Sequence, residues 1–137
     1  MIEIINQQHR YWLNARKYKD LLKRLSTHYK LKDPEITLVF VDNRAIKKLN
    51  KKYLKKDAPT DVLSFPMGER SADGKFYLGD IVISVPQAFK QCFSQEHGLE
   101  RELELLTIHG FLHLLGYEHS EGIEEEEEKI ENLLSDD

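Results

Sequence analysis

The chain predicts an α+β fold: a single domain over residues 1–137, with a mixed β-sheet of about four strands flanked by helices and a metal site on a helix of the C-terminal half. Three observations carry this. The β-branched, strand-like runs come early and the helical runs come late, as α+β order requires. The 137 residues suit one domain, and a hydrophobic content of 40% is enough for a core. There is no internal repeat and no linker, and the run of glutamates from Glu124 to Glu128 is the one low-complexity segment.

Residues 1–6 alternate like a short strand. Residues 10–30 carry Trp12, Leu13, Leu21, Leu22 and Leu25 at near-helical spacing and predict a helix, broken at Asp33-Pro34. Residues 35–42 read as a strand, after which Asp42 or Asn43 caps a helix over 44–54. Asp57 to Thr60 form a loop, and 61–66 form a strand closed by Pro66. Residues 67–75, with Gly68, Asp73 and Gly74, form a connection or hairpin loop to a strand over 76–85. Pro86 opens a helix at its first turn, a second helix covers about 99–115, and an acidic one covers roughly 122–134.

The single cysteine, Cys92, rules out an internal disulfide and reads as a small buried apolar residue. The N-terminus lacks a basic region followed by an apolar stretch, and no apolar run nears the roughly 18 residues of a membrane span. The expected location is the cytoplasm, with no membrane partner. The net charge of −4 conceals an asymmetry. Seven positive charges and no acid lie between Arg44 and Lys56, whereas ten acids and the lone Lys129 lie between Glu118 and Asp137.

The stretch from His109 to His119 reads H-x3-H-x2-G-x2-H. His109 and His113 stand on one helix face, and Gly116 can end the helix in a left-handed conformation, so that His119 swings back to the same point. Three converging imidazoles suit a zinc-type ion with one position open for water, the layout of a catalytic site. The spacing also fits the long zinc-protease signature, but the position of its base glutamate holds Gly110, and none of the residues after His119 is a methionine. Peptidase chemistry is therefore disfavoured, while metal-assisted hydrolysis of a phosphodiester remains open.

Lys47, Lys48, Lys51, Lys52, Lys55 and Lys56 form one basic stripe, its last turn reaching into the loop, and Tyr53 adds a stacking face. Such a stripe binds a phosphate backbone, or is simply a solvated lysine face. Glu118 and Asp80 are candidates to support a histidine from behind. Thr60, Asp61 and Ser64 read as residues that shape loop and strand, and Glu124–Glu128 as a solvated helix face.

Three blocks together resemble the YbeY family of single-strand-specific endoribonucleases: Lys56 to Pro66 (KDAPTDVLSFP), Leu78 to Ser84 (LGDIVIS), and the histidine motif. The resemblance covers roughly residues 35–135. It implies an α+β fold and a metal-dependent endoribonuclease that matures the 3′ end of small-subunit (16S) ribosomal RNA and serves ribosome quality control. It implies one zinc ion per chain on His109, His113 and His119, with precursor rRNA and the ribosome or small subunit as partners and no preference for DNA. Many members carry arginine directly after the tyrosine that matches Tyr53, where this chain has Leu54, and aspartate where it has Glu118. Lys55 and Lys56 supply charge nearby without arginine's bidentate fork. The alternatives are a zinc-containing ribosome-assembly binding module without hydrolytic activity and, less favoured because of Gly110, a zinc peptidase.

Overall fold

The computed structural model describes residues 1–94, 97–118 and 122–135. Its elements run β1 (Ile2–Asn6), α1 (Ala15–His28), β2 (Glu35–Val41), α2 (Asn43–Leu54), β3 (Val62–Arg70), β4 (Phe76–Ser84), α3 (Val85–Ser94), α4 (Leu99–Leu114) and α5 (Ile123–Ser135). The four strands form one mixed sheet in the order β1-β2-β4-β3. β1, β2 and β4 are parallel, and β3 returns antiparallel to β4 as an edge strand.

Strand alternation divides the apolar residues between two faces. Ile36, Leu38 and Phe40 of β2 and Ile81 and Ile83 of β4 pack with Tyr18, Leu22 and Leu25 of α1 and Leu103, Phe111 and Leu112 of α4. The other face is thinner, with Val41, Leu63 and Val82 under Ile46 of α2. Buried Tyr18, Leu21, Leu22, Leu25 and Ser26 form the single ridge that seats α1. α4 is buried nearly all round, from Leu103 to Leu114, and is the central helix of the thicker layer.

Two boundaries differ from the sequence reading. The first helix starts at Ala15 rather than near residue 10. Before it, the buried Gln8 side chain accepts from the N–H groups of Arg10 and Tyr11 and donates to the Tyr11 carbonyl, a local turn that replaces helical bonding. β3 runs through Pro66 to Arg70, with a register shift between Pro66 and Glu69. Proline is accepted there because β3 is an edge strand. Ser84 N–H donates to the Asp61 carbonyl, so ladder alternation turns Leu63 and Phe65 toward β4 and the backbone of Val62, Ser64 and Pro66 outward. α2 ends at Leu54, where the sequence placed its end; Lys55 caps it in the left-handed region and Lys56 lies beyond. At the other end, Asp42 is the cap, its carboxylate accepting from Ala45 N–H at 2.8 Å.

Candidate metal centre and cleft

His109 and His113 sit in the last two turns of α4, where the helix lies directly on the sheet. The contact is made possible by Gly110, about a quarter-turn around the helix from the histidine pair. A Cβ at this position would come within 2.6 Å of Ile81 Cγ2, and its carbonyl accepts from Ser64 Oγ at 3.1 Å. This gives the missing protease base a steric reason, since no side chain fits where a catalytic glutamate would stand.

His109 and His113 project, half-buried, from the cleft side of the same two turns. Their Nε2 atoms lie 2.9 Å apart and their ring centroids 4.5 Å apart. Both rings thus offer the same nitrogen to one point, and two Zn–N bonds of about 2.0–2.1 Å can span that separation. A carboxylate stands behind each ring, and one of the two is in contact. The Nδ1 of His109 meets the Glu127 carboxylate from α5, and the Nδ1 of His113 lies 3.9 Å from Glu118 Oε2. Gly116 follows with φ of +101°, the left-handed turn expected between the helix and the third histidine. His119 lies outside the described residues, and among those described no group of three or more potential ligands is arranged around one point.

The pair opens on a cleft of about 580 Å³ lined by Tyr53 and Leu54 at the end of α2, by residues 60–66 of the loop and β3, and by Glu118. The free edge of β3 forms its long wall, with the backbone of Ser64 facing outward. Tyr53 is half exposed at the mouth, its ring edge-on to Phe65 at 5.2 Å with the Lys52 ammonium 5.1 Å from its centre. All six lysines of the stripe are exposed, and none lines the cleft itself. Lys47 pairs with Asp57 at 3.8 Å.

Thr60, Asp61 and Ser64 both shape the strand and line the cleft. Asp61 Oδ1 accepts from Val62 N–H at 2.8 Å, capping an outward amide, while its Oδ2 accepts from Gln91 Nε2 at 3.2 Å. Gln91 donates again to Glu102 Oε2, and Glu102 Oε1 meets His97 Nε2 at 2.6 Å. A polar chain therefore runs from a buried carboxylate of α4 to the cleft wall. Asp80 does not reach the histidines. The pleat that points Ile81 at Gly110 points Asp80 to the α2 face, beside Phe65 in register. Burial there raises its carboxyl above the usual carboxylate range.

The glutamate run is not a uniformly solvated face. Glu126 accepts from the hydroxyls of Tyr29 at 3.0 Å and Tyr117 at 3.1 Å, and Glu127 meets His109. Burial, reinforced by the Glu126 hydrogen bond, pushes both tyrosine hydroxyls up from their ordinary range. The sequence held a signal for this: Ile123 and Ile130, both fully buried, are seven apart, and positions 126 and 127 fall between them on the same helix face. Cys92 is buried, its thiol directed at the Phe89 carbonyl.

A family model described as Endoribonuclease YbeY matches residues 3–136. The chain belongs to the YbeY endoribonuclease family. Among its relatives, Endoribonuclease YbeY of Oceanobacillus iheyensis is 47% identical over 126 residues, covering 82% of this chain and 80% of that protein. The Aquifex aeolicus YbeY is 48% identical over 106 residues, covering 76% and 70%. The solution structure of TM1509 from Thermotoga maritima is similar at a TM-score of 0.63 and 27% identity, over 95% of this chain and 86% of that one. Within the YbeY frame, the described part of the candidate metal centre is the His109–His113 pair with its two glutamates.

Proposed function

We propose that this chain is a zinc-dependent endoribonuclease that cuts single-stranded RNA, acting on the 3′ end of the small-subunit rRNA precursor and in ribosome quality control in the cytoplasm. The observation that carries the reading is the convergence of His109 Nε2 and His113 Nε2 at the floor of a cleft in a YbeY family member.

The lysines of α2 attract the RNA backbone through charge and counterion release. Tyr53, half exposed beside them, offers an unpaired base a stacking face, which a base held in a duplex could not reach. The free edge of β3 then guides the strand toward the histidines, with outward backbone groups at Ser64 to meet ribose or phosphate oxygens. His109 and His113, with His119 as the expected third ligand, would hold the ion, while Glu127 holds the His109 ring from behind and Glu118 stands near His113. Zinc bound there supplies an activated water near neutral pH and polarises the phosphoryl oxygen. Gly110 contributes no base, which supports a nuclease over a peptidase.

The test is cleavage of end-labelled single-stranded and duplex forms of one rRNA fragment by zinc-loaded protein, with and without a chelator. Cleavage confined to the single strand and abolished by chelation is the expected result. Cutting that survives chelation, or that does not distinguish the two forms, overturns the reading. RNA binding without any cutting by zinc-loaded protein points instead to the assembly module.

A further inference from the structure

Glu127 is one of five consecutive glutamates, and among the described contacts it is the one that meets a histidine of the cleft. Ile123 and Ile130 clamp α5 onto the core one turn to either side, and Glu126 anchors the intervening turn to Tyr29 of the α1 C-terminus and to Tyr117, which follows α4. The carboxylate of Glu127 is thus delivered by a helix pinned at three points. It reaches Nδ1 of His109, the nitrogen opposite the one that faces His113. A carboxylate accepting from Nδ1–H fixes an imidazole in the tautomer whose Nε2 carries the free lone pair, and it also fixes the ring plane.

We propose that Glu127 is the positioning residue for His109, holding its Nε2 lone pair toward the shared point so that the metal centre is preorganised by α5. The inference rests on the reading of His109 as a metal ligand. It assigns to one residue of the acidic run a task that its four neighbours do not share. Glu124 and Glu128, exposed on the same helix, are the internal controls.

The experiment measures zinc affinity by competition with a chelating dye for wild type, Glu127→Ala, Glu127→Gln and Glu124→Ala. The tautomer of His109 is read in parallel from nitrogen-15 spectra of the metal-free proteins. Removing such a carboxylate typically weakens metal binding by about 10–100-fold. Glu127→Ala is expected to fall in that range, with Nδ1–H of His109 no longer the dominant form. Glu127→Gln keeps an acceptor oxygen and is expected to recover part of the affinity and the tautomer, while Glu124→Ala matches wild type. The glutamine variant and a thermal melt of each protein separate lost positioning from lost folding. Wild-type affinity and an unchanged tautomer in a folded Glu127→Ala protein overturn the proposal, even if wild type binds zinc and cuts RNA. A wild type that binds no zinc overturns the metal-ligand reading, and the proposal with it.

Discussion

α2 and α5 are both short helices crowded with one sign of charge, and the structure uses them in opposite ways. On α2 the lysines flank a buried ridge of Ile46 and Asn50, so every one of them stays in solvent. On α5 the apolar ridge is set by Ile123 and Ile130, and two glutamates stand on that ridge instead of beside it. Those two are partnered, one by a pair of tyrosine hydroxyls and one by a histidine. A charge run therefore has no single meaning. Its phase relative to the apolar positions decides which charges serve the solvent and which serve a site.

The sharpest way to break the comparison is to place a carboxylate on the ridge that lacks partners for it. Ile46→Glu puts a charge among the apolar side chains of Val41, Leu63 and Val82. A loss of more than about 3 kcal/mol is expected, or failure to fold, read by denaturant titration. Glu126→Ala tests the opposite case by removing an established ridge carboxylate. Two buried-side hydroxyls lose their acceptor, and stability is expected to fall by about 1–3 kcal/mol in the same titration.

A smaller stability effect, and a larger binding one, belongs to α2. Lys51→Ala with Lys52→Ala should leave the melting midpoint nearly unchanged, since both side chains are exposed. The same variant should bind single-stranded RNA more weakly, with the slope of log affinity against log salt reduced by about 1.4. An unchanged salt slope would mean that the stripe is a solvated face. The smallest effect concerns Asp80, whose carboxyl is raised by burial. Its cost to the fold is absent at pH below its ordinary value and grows as pH rises through the raised value. Asp80→Asn should therefore gain about 1–2 °C in Tm at neutral pH, and the gain should vanish in acid.

Much of this architecture was legible in the chain. Alternation marked β1, apolar and β-branched runs marked β2 and β4, and the Asp42-Asn43 pair marked the start of α2, because local patterning and capping dominate there. The continuation of β3 through Pro66 was not legible, because it depends on that strand lying at the sheet edge, a fact of pairing rather than of sequence. The His109–His113 pair followed from helical spacing alone. Of the carboxylates behind it, Glu118 was a candidate from the sequence, whereas Glu127 was not, because it arrives from another helix 18 residues away. Asp80 was misplaced for a related reason: its apolar neighbours suggested a buried support, but only the contact of Gly110 with Ile81 fixes which face of the sheet carries the histidines.

The most direct test of the central claim compares wild type with a folded His113→Ala protein, both supplied with zinc, for binding and cutting of the same single-stranded rRNA fragment. The account predicts that the variant still binds RNA with a salt dependence like that of wild type, because the lysines are untouched, and that cutting is lost with the metal. Equal cutting by both proteins would place the chemistry elsewhere and contradict the account.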